Sequence, residues 1–160
     1  MVKFEANPIN MEHLRNLKIA VDFDGTIVEH EYPRIGKDKL FAIETMKELH
    51  KQGALLILWT FRVGAELDEA VEYCRKKGIE FYAVNRNYPE EAYDESVSRK
   101  INADVYIDDK NVGGFPGWSE IWQHLSLYSE REKEVERQLR RGKPLLSRIF
   151  RLNPGKNKET

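Results

Sequence analysis

The sequence predicts an α/β fold with a Rossmann-like, doubly wound parallel sheet. Short apolar runs alternate along the chain with segments whose apolar residues recur at helical spacing. An alternation of strand and helix is typical of a parallel sheet with right-handed crossovers. One run, ALLILWT at 54–60, is apolar up to its last residue, as expected for a strand that is covered on both faces.

Each element of this fold follows from a local pattern. The first strand is predicted in LKIAVDFDGT at 17–26, an apolar run that ends in two aspartates and a Gly-Thr turn. Helices are predicted where apolar residues recur three or four positions apart and a glycine follows. The remaining elements, in chain order, are a helix from Asp38 to Gly53 that includes Leu40, the strand at 54–60, a helix through Leu67 and Cys74 that stops at Gly78, a strand at 79–85, a short acidic helix around 89–100, a strand at 103–108, and a helix through Trp118 and Leu125.

Length and composition limit the classes of protein. The chain has 160 residues, 41% of them apolar, and a formal net charge of −1, so we expect one domain with a real core and no overall attraction to nucleic acid. Cys74 is the single cysteine and lies on a helical apolar stripe, which indicates a core thiol and excludes an intramolecular disulfide. Residues 1–16 show no apolar leader and no segment reaches transmembrane length, so we expect a cytoplasmic protein.

Polar side chains stand at the carboxyl end of every predicted strand. In doubly wound sheets the ligand binds at these ends, where the strand order reverses. Asp22 and Asp24 lie two positions apart in an extended chain, so their carboxylates point the same way. Two neighbouring anions are unfavourable unless a cation lies between them, so we expect one nearby. The other polar ends are Thr60 with Arg62 just beyond it, Asn85 to Asn87, and Asp108 with Asp109, while Lys100 precedes the fourth strand.

This ordered set resembles the four motifs of the haloacid dehalogenase (HAD) superfamily of phosphotransferases and phosphatases. DFDGT at 22–26 is similar to the first motif, Asp-x-Asp-x-Thr, and Thr60 in LILWTFR is similar to the second. Lys100 in SRKINAD is similar to the third, and Asp108 with Asp109 in YIDDKN to the fourth. A receiver-domain fold also combines aspartates with a Thr or Ser and a Lys, but its phosphoacceptor aspartate stands on a later strand.

The resemblance implies a Mg²⁺-dependent phosphatase that hydrolyses a phosphomonoester through an aspartyl-phosphate. Asp22 would be the nucleophile, and Asp24 would be the general acid and base. Thr60 and Lys100 would bind the phosphoryl oxygens. The implied metal ligands converge if the first and fourth strands are neighbours. They are Asp22, the backbone carbonyl of Asp24, Asp108 and, through a bound water, Asp109, although the sequence does not decide which of Asp108 and Asp109 binds the metal directly.

The resemblance also implies a capless member of the superfamily, because the cap domain is usually inserted after the first motif or between the second and third. Only a short loop follows the first motif here, and the predicted helix, strand and helix fill the chain between the second and third motifs. Such an open site suits a large substrate, or a small one covered by another subunit. Arg62 and Asn87 are the predicted substrate contacts at its rim, whereas His30 is equally well explained as an exposed loop histidine.

Two other functions stay open beside the phosphatase. One is a phosphoryl transferase or phosphomutase of the same superfamily, since transfer to water or to a second hydroxyl depends on how the site closes. The other is a non-catalytic protein that binds a phosphorylated ligand or supports an assembly. The presence of both Asp22 and Asp24 disfavours this last function, because binding alone does not need an acid/base carboxyl.

The composition changes near the end of the chain, which we divide into a hydrolase domain at 1–127 and a tail at 128–160. From Arg137 onward, eight Lys or Arg residues stand against one Glu. PLLSRIFRL at 144–152 mixes apolar residues with arginines, as an amphipathic segment with a basic face does. Such a segment suits an anionic membrane surface or a second subunit of a homo-oligomer. The alternative is that its apolar side folds back on the domain.

Overall fold

The computed structural model describes residues 12–92, 94, 96, 98–127 and 137. The strands are β1 at Lys18–Val21, β2 at Leu55–Leu58, β3 at Ala83–Val84 and β4 at Val105–Ile107. All neighbouring pairs are parallel, and the spatial order is β3-β2-β1-β4. The strand order therefore reverses beside β1, and the carboxyl ends of β1 and β4 are neighbours. This arrangement confirms the predicted Rossmann-like α/β fold class.

Three α-helices flank the sheet in the described part of the chain. They are α1 at Ala42–Lys51, α2 at Gly64–Lys76 and α3 at Trp118–Ser126, and a short 3-10 turn at Glu12–Leu14 precedes β1. Each helix buries apolar residues at the predicted spacing, among them Met46 in α1, Cys74 in α2 and Trp118 in α3, whereas Leu67 of α2 is only partly buried. Burial raises the pKa of Cys74 to about 12, so the thiol is an inert core group, as predicted.

The first helix begins later than predicted. Phe41 precedes α1 in the left-handed conformation, with φ of 65°, which interrupts a helix that would run on from Asp38. The Asp38 carboxylate is instead bound by the Tyr73 hydroxyl at 2.5 Å and by the Lys77 ammonium at 2.6 Å. Leu40 is consequently 76% exposed and is not part of the core, which corrects the predicted stripe.

The helix predicted around 89–100 is wrong for the residues that the structure describes there, which are in turns, bends and irregular chain. Side chains take the backbone groups that a helix would use. Glu91 accepts hydrogen bonds from the backbone N–H and the side-chain amide of Asn87, at 2.6 and 2.7 Å. Asn87 in turn accepts one from the backbone N–H of Asn102. Such side-chain to backbone bonds compete with regular helix formation.

The sheet separates two groups of buried apolar residues. One group contains Ile19 and Val21 of β1 together with residues from all three helices. The other contains Ala20 of β1 and Ile57 of β2 and holds no helical residue within the described ranges. Because side chains alternate along a strand, these groups lie on opposite faces of the sheet. The described residues between β1 and α1, and between β2 and β4, contain no further domain, in keeping with the predicted open site.

The chain divides into two units, Met1–Ser126 and Leu127–Thr160. The tail predicted at 128–160 lies outside the described residues except for Arg137, so its proposed role in association stays a prediction. Within the described ranges, no helix combines the length and the apolar character that a membrane span requires.

Candidate functional site

The end of β1 fixes the position of Asp22. The backbone N–H of Asp22 donates to the carbonyl oxygen of Ile107 at 2.9 Å, which extends the pairing of β1 with β4 by one residue. The next side chain, Phe23, is fully buried in the helix-covered core. The chain then closes a tight loop in which the N–H of Ile27 donates to the carbonyl of Phe23 at 2.9 Å. Asp22 is therefore held where β1 and β4 end together.

Three carboxylates meet at this point and form what we call the aspartate triad: Asp22, Asp108 and Asp109. One carboxylate oxygen from each residue lies within 4.8 Å of the other two. Burial, together with the charges of Asp108 and Asp109, raises the pKa of Asp22 to about 7, although hydrogen bonds from the Phe23 backbone and from Thr26 oppose the shift. The triad thus concentrates negative charge that a cation would stabilise.

Gly25 makes room for the triad. Its φ of +89° lies in the region that favours glycine, and a Cβ at this position would stand 2.3 Å from Oδ2 of Asp109. The following residue, Thr26, is fully buried and donates from its hydroxyl to Oδ2 of Asp22 at 3.3 Å. Its backbone carbonyl accepts a hydrogen bond from Nε1 of Trp118 at 2.9 Å. The Gly-Thr pair of the first motif therefore supports two of the three carboxylates.

Lys110 brings a positive charge to the triad. Its ammonium lies 2.6 Å from Oδ2 of Asp109, and this hydrogen bond raises the pKa of Lys110. The backbone N–H of the same residue donates to Oδ1 of Asp108 at 2.7 Å. The Lys110 side chain is itself 72% exposed, so it can swing between Asp109 and a ligand at modest cost.

Asp24 is held by a buried arginine and stands outside the triad. Nε and Nη2 of Arg62 donate to the two carboxylate oxygens of Asp24, each at 2.7 Å. The Arg62 side chain has no exposed surface, and its guanidinium also donates to the carbonyls of Pro33 and Arg34 at 2.8 Å. These contacts correct the prediction that Arg62 is a substrate contact at the rim. Arg62 instead ties Asp24 to the loop that follows β1.

Thr60 stands at the end of β2, as predicted. Its backbone N–H donates to Oδ1 of Asn85 at 2.8 Å, which links the ends of β2 and β3. Its hydroxyl oxygen accepts a weak hydrogen bond from the backbone N–H of Arg62 at 3.3 Å. The hydroxyl proton is therefore left to donate to a ligand.

A cavity of about 560 Å³, which we call the aspartate cavity, brings most of these groups together. Its lining includes the predicted site residues Asp22, Asp24, Thr60, Asp108 and Asp109. Lys110 also lines it, with His30 and Tyr32 from the loop after β1. The cavity thus combines carboxylates, a hydroxyl and an ammonium at the carboxyl ends of the strands, where a ligand is expected.

Two predicted site residues lie elsewhere. Lys100 does not line the aspartate cavity; its ammonium stands 5.3 Å from the centre of the Tyr106 ring in a cation–π contact. Asn87 is absent from the lining as well, because its side chain is engaged by Glu91 and by the Asn102 backbone. In this arrangement the lysine available to a ligand of the cavity is Lys110.

Comparison with known proteins places the chain in a family. No protein-family model and no curated protein matches it. A solved structure of a conserved protein from Bacteroides thetaiotaomicron shares 55% sequence identity and a TM-score of 0.65, over 69% of this chain and 90% of its own. The chain belongs to the family of that conserved protein.

Three features of this family member's site are not evident from the sequence: the position of Lys110, the partner of Arg62 and the space that Gly25 leaves. Lys110 follows the aspartate pair directly in YIDDKN, but the resemblance to the third motif points to Lys100 as the phosphate-binding lysine. Arg62 follows Thr60 closely, but its partner Asp24 is far away in the sequence. Gly25 was assigned only to a turn. A carboxylate that loses contact with water needs a positively charged partner. The sequence offers such partners in WTFR, where Arg62 pairs with Asp24, and in DDKN, where Lys110 pairs with Asp109.

Proposed function

We propose that this protein is a Mg²⁺-dependent phosphomonoester hydrolase of the haloacid dehalogenase type, which acts through an aspartyl-phosphate on Asp22. The observation that carries the proposal is the aspartate triad, in which a partly buried Asp22 shares one cavity with the hydroxyl of Thr60. A nucleophilic carboxylate, a cluster of hard oxygen ligands and a phosphate-binding hydroxyl are the groups that this chemistry requires.

The residues of the triad fit a Mg²⁺ ion. Their three oxygens lie close enough together to bind one cation, and carboxylate oxygens are ligands that Mg²⁺ prefers. Lys110 offsets part of the charge: its ammonium contacts Asp109, and it also lies near enough to Asp22 and Asp108 to interact with their charges. Asp22, Asp108 and Asp109 would hold the ion, whereas the Asp24 side chain is taken up by Arg62. When bound, Mg²⁺ supplies positive charge that balances the carboxylates and the phosphoryl oxygens.

Asp22 carries the covalent step. One of its carboxylate oxygens attacks phosphorus, and the bond from phosphorus to the leaving oxygen breaks. The Thr60 hydroxyl donates to a phosphoryl oxygen, and Lys110 adds a positive charge beside the same group. Water then attacks the phosphorus of the aspartyl-phosphate and releases inorganic phosphate, which restores the free carboxylate.

Asp24 transfers the protons. It gives a proton to the leaving oxygen in the first half-reaction and takes one from the attacking water in the second. Each of its oxygens keeps a lone pair beyond the one used by Arg62, so the exchange is compatible with the bidentate contact. Arg62 therefore acts as a positioning residue that fixes the orientation of the Asp24 carboxyl.

The experiment measures phosphate release from p-nitrophenyl phosphate with Mg²⁺ and after chelation by EDTA. We expect turnover that depends on Mg²⁺ and falls by at least about a thousandfold in Asp22→Asn. Asp68→Asn is the matched control, because Asp68 is an exposed aspartate on α2 outside the cavity. Mass spectrometry of quenched Asp24→Asn protein should find a phosphoryl group on Asp22. Near-normal turnover by Asp22→Asn would falsify the covalent mechanism.

A further inference from the structure

A second cavity adjoins the aspartate cavity and has a different character. Its volume is about 640 Å³, and three residues line both cavities: Trp59, Thr60 and Phe61. The second cavity continues from these residues over the end of β3 to Arg86 and Arg99, so we call it the arginine cavity. A ligand that bound Thr60 in the aspartate cavity could thus extend into it.

The two arginines give this cavity a positive charge. Nε and Nη1 of Arg86 donate to the carbonyls of Val84 and Pro89, at 3.3 and 3.2 Å, which fixes the guanidinium and leaves Nη2 for a ligand. Arg99 makes no ion pair or hydrogen bond with another residue that the structure describes. A guanidinium with free N–H groups binds phosphate or carboxylate with paired hydrogen bonds, and both arginines have such groups.

The acidic residue in the same cavity is already engaged. Glu91 accepts hydrogen bonds from the backbone N–H and the side-chain amide of Asn87, one to each carboxylate oxygen. The hydrogen bonds from Asn87 and the nearby charge of Arg86 hold the pKa of Glu91 below its usual value, so Glu91 carries a negative charge that offsets part of the charge of Arg86. Two arginines stand against this one glutamate among the lining residues, so the arginine cavity keeps a net positive charge that attracts an anion.

Apolar surface lies between the two charged regions. Phe61 is 89% exposed although its ring is large, and Val63 beside it in the arginine cavity is 68% exposed. The Phe61 ring also contacts Tyr32 edge-on, with 6.5 Å between ring centres, which holds it at the junction. Exposed aromatic and aliphatic groups in a cavity favour contact with an apolar part of a ligand.

We propose that the arginine cavity binds the leaving group of the substrate, and that this group combines an apolar body with a second anionic group, phosphate or carboxylate. The inference rests on the proposed hydrolase function, because the scissile phosphate is assigned to the aspartate cavity. The apolar body lies on Phe61, and the second anion lies between Arg86 and Arg99.

The test compares two matched pairs of compounds at saturating Mg²⁺. The phosphate pair is adenosine 3′,5′-bisphosphate and adenosine 5′-monophosphate, and the carboxylate pair is 4-carboxyphenyl phosphate and phenyl phosphate. We expect kcat/KM to be at least about tenfold higher for the compound with the second anionic group in one of the pairs, which identifies that group as phosphate or carboxylate. Arg86→Gln and Arg99→Gln should each reduce that ratio by about tenfold. Arg75→Gln is the control, since Arg75 lies outside both cavities and pairs with Glu72 on α2.

A binding measurement makes the inference testable apart from turnover. Asp22→Asn protein is titrated calorimetrically with adenosine 3′,5′-bisphosphate and with 4-carboxyphenyl phosphate, with and without Arg86→Gln. A loss of affinity of about tenfold in the arginine variant supports the subsite. If phenyl phosphate is hydrolysed but kcat/KM is the same for the two compounds of each pair, this inference is overturned and the proposed function stands. If no compound is hydrolysed, the proposed function fails, and unchanged binding by Arg86→Gln then overturns the subsite as well.

Discussion

Replacement of the buried arginine, Arg62→Met, tests the reasoning about Asp24. Methionine fills much of the same volume but removes two hydrogen bonds to Asp24 and one each to the carbonyls of Pro33 and Arg34. The Asp24 carboxylate is then nearly buried without its partner. Breaking a buried ion pair from one side costs about 3–5 kcal/mol, mostly because the remaining charge is left uncompensated.

This cost is large beside the stability of a small domain, which is about 5–15 kcal/mol. With a urea dependence of about 2 kcal/mol per molar, a loss of 4 kcal/mol lowers the unfolding midpoint by about 2 M. The assay is urea unfolding followed by circular dichroism and by tryptophan fluorescence. Arg75→Met is the control, and its midpoint should not change, because the Arg75–Glu72 pair is on the surface of α2.

A double-mutant cycle separates the pair from its surroundings. Asp24→Asn also breaks the pair, so the double variant Arg62→Met/Asp24→Asn should be more stable than the sum of the single effects predicts, by at least about 1 kcal/mol. Arg62→Lys keeps the charge but loses the paired geometry, and its stability should lie between those of the native protein and Arg62→Met. Additive single effects, or a loss below about 1 kcal/mol in Arg62→Met, would refute the argument that this pair is buried and coupled.

Three further predictions concern the triad. Gly25→Ala should reduce Mg²⁺-dependent turnover by about a hundredfold by displacing Asp109, whereas Gly113→Ala, which has positive φ but no atom within 4 Å of its Cβ, should reduce it far less. Asp108→Ala should raise the Mg²⁺ concentration for half-maximal activity more than Asp109→Ala does, because the Asp109 carboxylate already pairs with the Lys110 ammonium. The reverse order would mean that Asp109, and not Asp108, is the more important metal ligand. Because the metal-free protein holds the pKa of Asp22 at about 7 against 3.8 in the unfolded chain, its stability should fall as pH rises between these values. Added Mg²⁺ should restore that stability and release a proton below pH 7, which calorimetry in two buffers measures.

The sequence was informative about the strand ends because their geometry is local. Asp22 and Asp24 are fixed to one side by the alternation of an extended chain, and the meeting of Asp22 with Asp108 follows from strand order alone. Lys100 could not be located in this way, since its position depends on the irregular chain from β3 to β4 and on the Tyr106 ring. The helix expected around 89–100 failed for the same reason: bonds between side chains distant in sequence decide that segment.

Asp22 and Asp24 lie two residues apart, but their carboxylates have different neighbours. Asp22 is partly buried among other anions, so a bound cation would stabilise its ionised form. Asp24 is paired with the guanidinium of Arg62, whose side chain has no exposed surface. An open site exchanges water freely and screens surface charges, so only such buried contacts hold a group at a fixed angle. In the proposed mechanism, the nucleophile Asp22 would thus have an environment that changes on metal binding, and the proton-transferring Asp24 would have one that does not. If Arg62→Met leaves the pH profile and leaving-group dependence of kcat unchanged, this division of roles is wrong.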